Sequence, residues 1–116
     1  MDLTIEPTSE HHTDYRSRFV GAEIKDSDNA VKLYQDASPI MHIDKLSPPI
    51  LIVHGGIDEQ VEPIQSTLMF DQLQKAGIQC YLLKLSGQGH GFNGAGADYA
   101  WRSARAFLDM QFNKPN

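Results

Sequence analysis

The chain has 116 residues, of which 41% are hydrophobic, and a formal net charge of −5 at pH 7. This length predicts at most one domain with a modest core, and the acidic balance argues against a nucleic-acid partner, because phosphate binding needs clustered Lys and Arg. The longest aliphatic run, Ile50 to Val53, is too short to span a bilayer, and the lone Cys80 excludes an intramolecular disulfide.

The N-terminal third of the chain is predicted to be mostly irregular. Residues 1–26 are polar and show little periodicity. The opening "MDLTIEPTSE" has neither the basic start nor the apolar stretch of a signal peptide, which favours the cytoplasm but leaves the location open, since a leader could precede a missing N-terminal half. Residues 27–38 begin with helix-capping side chains and predict a short helix. The prolines of "SPIMHIDKLSPP", residues 38–49, indicate a connector.

A strand and a helix are predicted next. "ILIVHG", residues 50–55, is a continuous aliphatic run, which is typical of a strand that is covered on both faces in a parallel sheet. Residues 62–77 predict a helix, with Pro63 in its first turn and Gly77 at its end. One side of this helix carries apolar residues at helical spacing: Ile64, Leu68, Met69, Leu73 and Ala76.

A second strand and a last helix follow, over residues 78–85 and 97–112. Trp101 and Phe107 of that helix are expected to be residues of the hydrophobic core. The helix face predicted to be apolar consists of Ala97, Trp101, Ala104 and Leu108. The order strand, helix, strand, helix predicts an α/β fold with a right-handed crossover and parallel strands.

A carboxylate and a histidine follow these two strands. Asp58 comes after the first strand, and His90 lies in the glycine-rich loop "GQGHGFNG" after the second. Because the carboxyl ends of parallel strands meet at one edge of a sheet, we expect the two side chains to be neighbours. A carboxylate orients an imidazole and stabilises its protonated form, so His90 is predicted as a general base and Asp58 as its acid. Glu59 and Glu62 flank Asp58 and are alternative acids.

Together the two loops resemble the C-terminal part of an α/β-hydrolase-fold serine hydrolase, in the esterase, lipase and prolyl-oligopeptidase-like branch. The family's acid motif H-G-x-x-D and base motif G-x-G-H-G-F are matched by His54, Gly55 and Asp58, and by Gly87, Gly89, His90, Gly91 and Phe92.

This resemblance implies a partial α/β-hydrolase fold over residues 49–116 that bears the acid Asp58 and the base His90 of a Ser-Asp-His triad. Residues 1–48 would then be a lid-like or connector segment, irregular or helical. The resemblance implies no metal and no organic cofactor. The substrate that it implies for the complete enzyme is a small ester, as in carboxylesterases and lipases, or a peptide.

The family's nucleophile is not found in this sequence. In the family the catalytic serine lies on a G-x-S-x-G elbow, and no serine here has a glycine two positions before it and another two positions after it. We therefore expect the chain to be a fragment or a truncated product, inactive alone as a serine hydrolase. Two parallel strands make a poor independent sheet, which predicts self-association or pairing with a missing N-terminal half.

Other interpretations of the motifs are weaker. "GHGFNG" matches the G-x-G-x-x-G of a nucleotide-binding half-domain, but no strand follows the last helix. "HGG", residues 54–56, resembles a lipase oxyanion loop, but no G-x-S-x-G follows it. "EHHTD", residues 10–14, has metal-ligating side chains but not the H-x-x-x-H spacing of a helical site. An alternative of another functional class is a non-catalytic binding or assembly module that keeps this part of the hydrolase fold.

Overall fold

Strands and helices alternate along the chain as the sequence predicts. The computed structural model describes residue 2 and residues 28–113. Its elements are α1 (Asp28–Ala37), a short 3-10 helix (Pro39–His42), β1 (Ile50–Gly55), α2 (Ile64–Lys75), β2 (Cys80–Leu85) and α3 (Gly94–Phe112). The predicted irregular segment lies, apart from Asp2, outside the described residues.

Strands β1 and β2 form a parallel pair. Ile50 lies opposite Cys80 at the start of the pair, and Gly55 lies opposite Leu85 at its end. Within the described residues these two strands make up the sheet. Because they are parallel and in register, the loops that follow Gly55 and Leu85 leave the sheet at the same edge, which confirms the predicted α/β arrangement.

The two longer helices cover opposite faces of this sheet. Side chains alternate between the faces along each strand. On one face, the Lys84 ammonium donates a hydrogen bond to the Thr67 hydroxyl of α2. On the other, the ring of Tyr81 meets Phe107 of α3 edge-on, with the ring centroids 6.0 Å apart. Both faces of the strands are therefore covered in part, which explains their aliphatic composition.

The end of α2 sets the start of β2. Gly77 has a φ of 76°, the left-handed conformation that glycine adopts most readily. The amide of Ile78 donates to the carbonyl of Leu73 at 2.9 Å, which closes the last turn. Leu73 and Ile78 are both buried. The predicted stop at Gly77 is confirmed, and it turns the chain directly into the second strand.

The buried side of helix α3 overlaps only in part with the side predicted, since Ala97 and Ala104 are half-buried while Trp101 and Leu108 are exposed. Ala100 is 6% exposed, whereas Trp101 is 77% exposed and Leu108 is 49% exposed. The prediction that Trp101 lies in the core is therefore wrong, while Phe107 does pack on the sheet. Neighbouring residues of a helix point about 100° apart, and the small and aromatic side chains of α3 allow two apolar stripes at helical spacing. Local periodicity could not choose between them.

Among the described residues the hydrophobic core is small. Its fully or nearly buried hydrophobic side chains are Ala30, Tyr34, Leu73, Ile78, Leu85 and Ala100. The predicted division at residue 48 stays a prediction. Within the part of the chain that the structure describes, every helix is too short or too polar to cross a membrane.

Candidate active site

Backbone hydrogen bonds join the two loops at the carboxyl edge of the sheet. The amide of Gly56 donates to the carbonyl of Leu85 at 2.8 Å, and the amide of Ile57 donates to the carbonyl of Gln88 at 3.0 Å. A Cβ atom added to Gly55 would overlap the carbonyl oxygen of Gly89 and would lie 2.8 Å from its carbonyl carbon. The acid loop can therefore lie directly against the histidine loop because residue 55 has no side chain.

Asp58 is buried at this junction, with both carboxylate oxygens occupied. Oδ1 accepts hydrogen bonds from the amides of Gln60 at 2.8 Å and Val61 at 2.9 Å. Oδ2 accepts one from Nδ1 of His90 at 3.0 Å. Burial by itself raises the pKa of Asp58, but the hydrogen bonds from Val61, Gln60 and His90, together with the charge of His90, leave that pKa below its ordinary value of 3.8. The carboxylate is therefore ionised at neutral pH.

His90 reaches the same carboxylate from a more open position. Its side chain is 52% exposed, whereas that of Asp58 is 4% exposed. Because Nδ1 donates to Asp58, Nε2 is the nitrogen left for proton transfer. The Gln88 side-chain oxygen accepts a hydrogen bond from the Asn93 amide at 3.0 Å and so links the two ends of the His90 loop. A pocket of about 200 Å³ opens beside the pair, between Val61 and Phe92.

The lowered pKa of Asp58 predicts a loss of stability in acid. A carboxylate with a lower pKa in the folded chain contributes stability that is fully present above its unfolded pKa and is lost as the pH falls through its folded pKa. Asp58→Asn should therefore have a smaller drop in the free energy of unfolding than the parent between about pH 5 and about pH 2. Urea denaturation across that range measures it. Asp71→Asn, at an exposed position of α2, is the control and should retain the parent's drop. An equal drop in the Asp58 variant would contradict the assignment.

Comparison with known proteins identifies the family of this fold and site. The model of the prolyl oligopeptidase family matches residues 1–115. The chain belongs to the prolyl oligopeptidase family. It is 33% identical over 67 residues to esterase LipC of Mycobacterium tuberculosis, covering 57% of this chain and 17% of LipC. It is 32% identical over 74 residues to dipeptidyl peptidase family member 6 of Caenorhabditis elegans, covering 64% of this chain and 10% of that protein. The chain thus spans less than a fifth of these relatives' length.

Solved structures of esterases share the fold of this prolyl oligopeptidase family member. A truncated carbohydrate esterase from gut microbiota superposes with a TM-score of 0.63 and 30% identity, over 71% of this chain and 28% of that one. Esterase 2 of Thermogutta terrifontis, phosphonylated by sarin, has a TM-score of 0.67 at 23% identity, over 97% of this chain and 40% of the esterase, and shows the fold alone. The predicted partial α/β-hydrolase fold is confirmed, as is the resemblance to serine hydrolases.

The structure brings the two predicted site residues of this family member together. Asp58 and His90 are within hydrogen-bond distance of each other. Of the alternative acids, Glu59 is exposed and Glu62 is buried, and the carboxylate that accepts the hydrogen bond from His90 is that of Asp58. That Asp58 and His90 are catalytic stays a prediction at this point. The metal-site candidate at residues 10–14 lies outside the described residues, and within residues 28–113 no cluster of three or more His, Cys, Asp and Glu residues is arranged to hold a metal ion.

Sequence analysis missed a second histidine at the same carboxylate. His54, the histidine of H-G-x-x-D, places Nε2 3.1 Å from Oδ2 of Asp58 and 3.0 Å from the carbonyl oxygen of Val61. Its Nδ1 is hydrogen-bonded to the hydroxyl of Ser66, in the first turn of α2. The signal in the sequence was strand alternation, which places His54 on the face that α2 covers, whereas Leu51 and Val53 face the other way.

Proposed function

We propose that this chain supplies the acid and the general base of a serine hydrolase active site whose nucleophile lies outside it. The observation that carries the proposal is the hydrogen bond between a buried carboxylate, Asp58, and a half-exposed imidazole, His90. Membership of the prolyl oligopeptidase family supports it. So does the local sequence, since no serine of the chain lies in G-x-S-x-G.

The geometry of the pair suits acyl transfer. With Nδ1–H held by Asp58, Nε2 of His90 accepts the proton of the nucleophilic serine as its oxygen attacks the carbonyl carbon of the substrate. The Asp58 carboxylate stabilises the imidazolium that forms, and Nε2 then returns the proton to the leaving group. In the second half-reaction the same nitrogen takes a proton from water and returns it to the serine as the acyl bond breaks.

An ester is the proposed substrate class. Among the similar proteins, LipC, the gut carbohydrate esterase and the Thermogutta enzyme are named as esterases. Dipeptidyl peptidase family member 6 is named as a peptidase, so a peptide is the second candidate. Complementation tests both. This chain, mixed with the segment encoded upstream of it, should restore hydrolysis of a short p-nitrophenyl ester. A mixture of two folded partners that form a complex but cleave neither an ester nor a peptide would refute the proposal.

The chain alone should not react with a fluorophosphonate that labels activated serines. Ser66 is the serine that contacts the site, but it is 7% exposed and its hydroxyl is hydrogen-bonded to His54. Mass spectrometry of the treated 116-residue chain should show the unmodified mass, while the same probe should label a complete serine hydrolase of the family stoichiometrically. Stoichiometric labelling of this chain that disappears in Ser66→Ala would show that the nucleophile is internal, contrary to the proposal.

Apolar surface that is left uncovered supports the proposal that this chain pairs with another part of the enzyme. A groove of about 310 Å³ lies between the sheet and α3, lined by residues that include Leu51, Leu83 and Met110. Trp101 is 77% exposed and Phe112 is 82% exposed on the same helix. Each strand of the described sheet has one neighbour, so one edge of each is left without a partner strand there. Surfaces of this kind are covered in stable α/β domains, because parallel sheets are buried on both faces.

We expect the isolated chain to associate with copies of itself for this reason. Light scattering coupled to size-exclusion chromatography should give a mass above 13.0 kDa that increases with concentration. Trp101→Lys, which places a charge on the exposed stripe of α3, should reduce the mass, whereas Arg102→Lys, at an exposed position of the same turn, should leave it unchanged. A folded monomer at every concentration would contradict the proposed pairing and would favour a self-sufficient binding module.

A further inference from the structure

Two imidazoles share one oxygen of the Asp58 carboxylate. Nδ1 of His90 lies 3.0 Å from Oδ2, and Nε2 of His54 lies 3.1 Å from the same atom. The two rings differ in access, since the side chain of His90 is 52% exposed and that of His54 is 10% exposed. His90 is therefore the ring that is open to a substrate, whereas His54 is largely buried against the carboxylate.

The contacts of His54 assign its proton. Nε2 faces two groups that only accept hydrogen bonds, the Asp58 carboxylate and the carbonyl of Val61, so this nitrogen must carry a hydrogen. Nδ1 faces the hydroxyl of Ser66, which can donate to it. Both ring nitrogens then have a hydrogen-bond partner. The arrangement leaves none of these buried polar groups without a partner, as buried groups require.

Serine, histidine and aspartate here form a chain of contacts that resembles a catalytic triad, but its orientation and burial rule out that role. In a triad Nδ1 faces the acid and Nε2 faces the nucleophile. At His54 the order is reversed, since Nε2 faces Asp58 and Nδ1 faces Ser66. Ser66 is also 7% exposed, too buried for its hydroxyl to meet a carbonyl carbon of a substrate. The chain of contacts therefore holds the site instead of reacting.

We propose that His54 is a positioning residue, which fixes the Asp58 carboxylate in the plane that aims His90. His54 stands at the end of β1 and Ser66 in the first turn of α2, so the ring ties the carboxylate to both elements. The amides of Gln60 and Val61 hold the other oxygen. With the two histidines, the Asp58 carboxylate therefore accepts hydrogen bonds from four donors, which lie on the end of β1, the acid loop and the His90 loop. These donors allow the carboxylate one orientation. This inference depends on the proposed function, because it assigns His54 a role in aiming the general base.

The first test needs no activity. In the 116-residue chain, nitrogen NMR of the imidazole rings should show His54 protonated on Nε2 and accepting a hydrogen bond at Nδ1. Carbon NMR of the Asp58 carboxyl should show its pKa rising in His54→Phe, which keeps the bulk of the ring and removes its donor, and falling back in His54→Gln, whose amide can donate. An Nε2 of His54 that carries no proton in the parent chain would overturn the proposal whether or not the variants fold.

The second test uses the complete enzyme. His54→Phe should lower kcat about tenfold to a hundredfold with little change in KM, a loss on the scale known for residues that orient the ligands of a metal ion. His54→Gln should recover part of that loss, which a purely structural role would not require. If His54→Phe and the parent share the same kcat, or if His54→Gln does no better than His54→Phe, the positioning role is refuted. If His90→Ala retains activity, the proposed function fails instead, so the two failures can be told apart.

Discussion

Replacing His90 by alanine in the complete enzyme should lower kcat by about 10⁴-fold to 10⁶-fold, the loss seen when the base of a Ser-His-Asp system is removed. The physical reason is that Nε2 of His90 must take the proton of the nucleophile and return it to the leaving group. Among the described residues, the other imidazole at this carboxylate is that of His54, and it cannot take over because it is buried with both of its nitrogens bonded. KM should change little, since the ring contributes to the transition state more than to ground-state binding.

The matched control for that variant is His42→Ala. His42 is exposed on the 3-10 helix, and its ring is hydrogen-bonded to the carbonyl of Asp36 at 2.8 Å, away from the site. The His42→Ala variant also loses one imidazole, but its kcat should be unchanged. Stopped-flow or steady-state hydrolysis of a chromogenic ester measures both variants. A loss below about tenfold in His90→Ala would remove this residue from the mechanism.

Among the glycines that the structure describes, Gly55 should tolerate a change to alanine least. A Cβ atom at this position would overlap the carbonyl oxygens of Gly89 and Gln88, and these are backbone atoms that cannot move without displacing the His90 loop. We expect the free energy of unfolding to fall by about 1–3 kcal/mol or more, as in overpacked interiors. In the complete enzyme, kcat should also fall about a hundredfold if the loop shifts by about 1 Å.

Gly91→Ala is the control for the effect on stability. It adds the same methyl group to the same loop, but nothing lies within 4 Å of the added carbon. Its free energy of unfolding, measured by urea denaturation, should stay within about 0.5 kcal/mol of the parent value. Equal stability of the two variants would show that the loops do not approach each other at Gly55 as closely as the structure indicates.

The position of the acid and base pair could be predicted because it depends on local patterns and one rule of topology. The aliphatic run at residues 50–55 and the run that ends at Leu85 each indicate a strand, and the helical pattern between them requires the strands to be parallel. Parallel strands bring the next residues to one edge. Asp58 and His90, 32 positions apart, are hydrogen-bonded for that reason.

The orientation of α3 could not be predicted in the same way. Its periodicity indicated a helix correctly, although the helix begins at Gly94, before the predicted start. Trp101 and Ala100 lie on stripes that both satisfy helical spacing, and the exposed one carries the larger apolar side chains. The size and hydrophobicity of the side chains therefore favoured the stripe that contains Trp101 as the core face, and that stripe is exposed. An exposed apolar patch is often an interaction surface, and periodicity within one segment cannot tell such a surface from a core face.

The sequence by itself determined the order of the elements, the parallel sheet and the pairing of Asp58 with His90, because each follows from side-chain periodicity within a segment and from the shared edge of parallel strands. Tertiary structure alone decided that Gly55 touches the Gly89 carbonyl, that His54 shares the Asp58 carboxylate and that Ser66 bonds the ring. These contacts depend on distances between segments, to within a few tenths of an ångström, and periodicity carries no information about such distances.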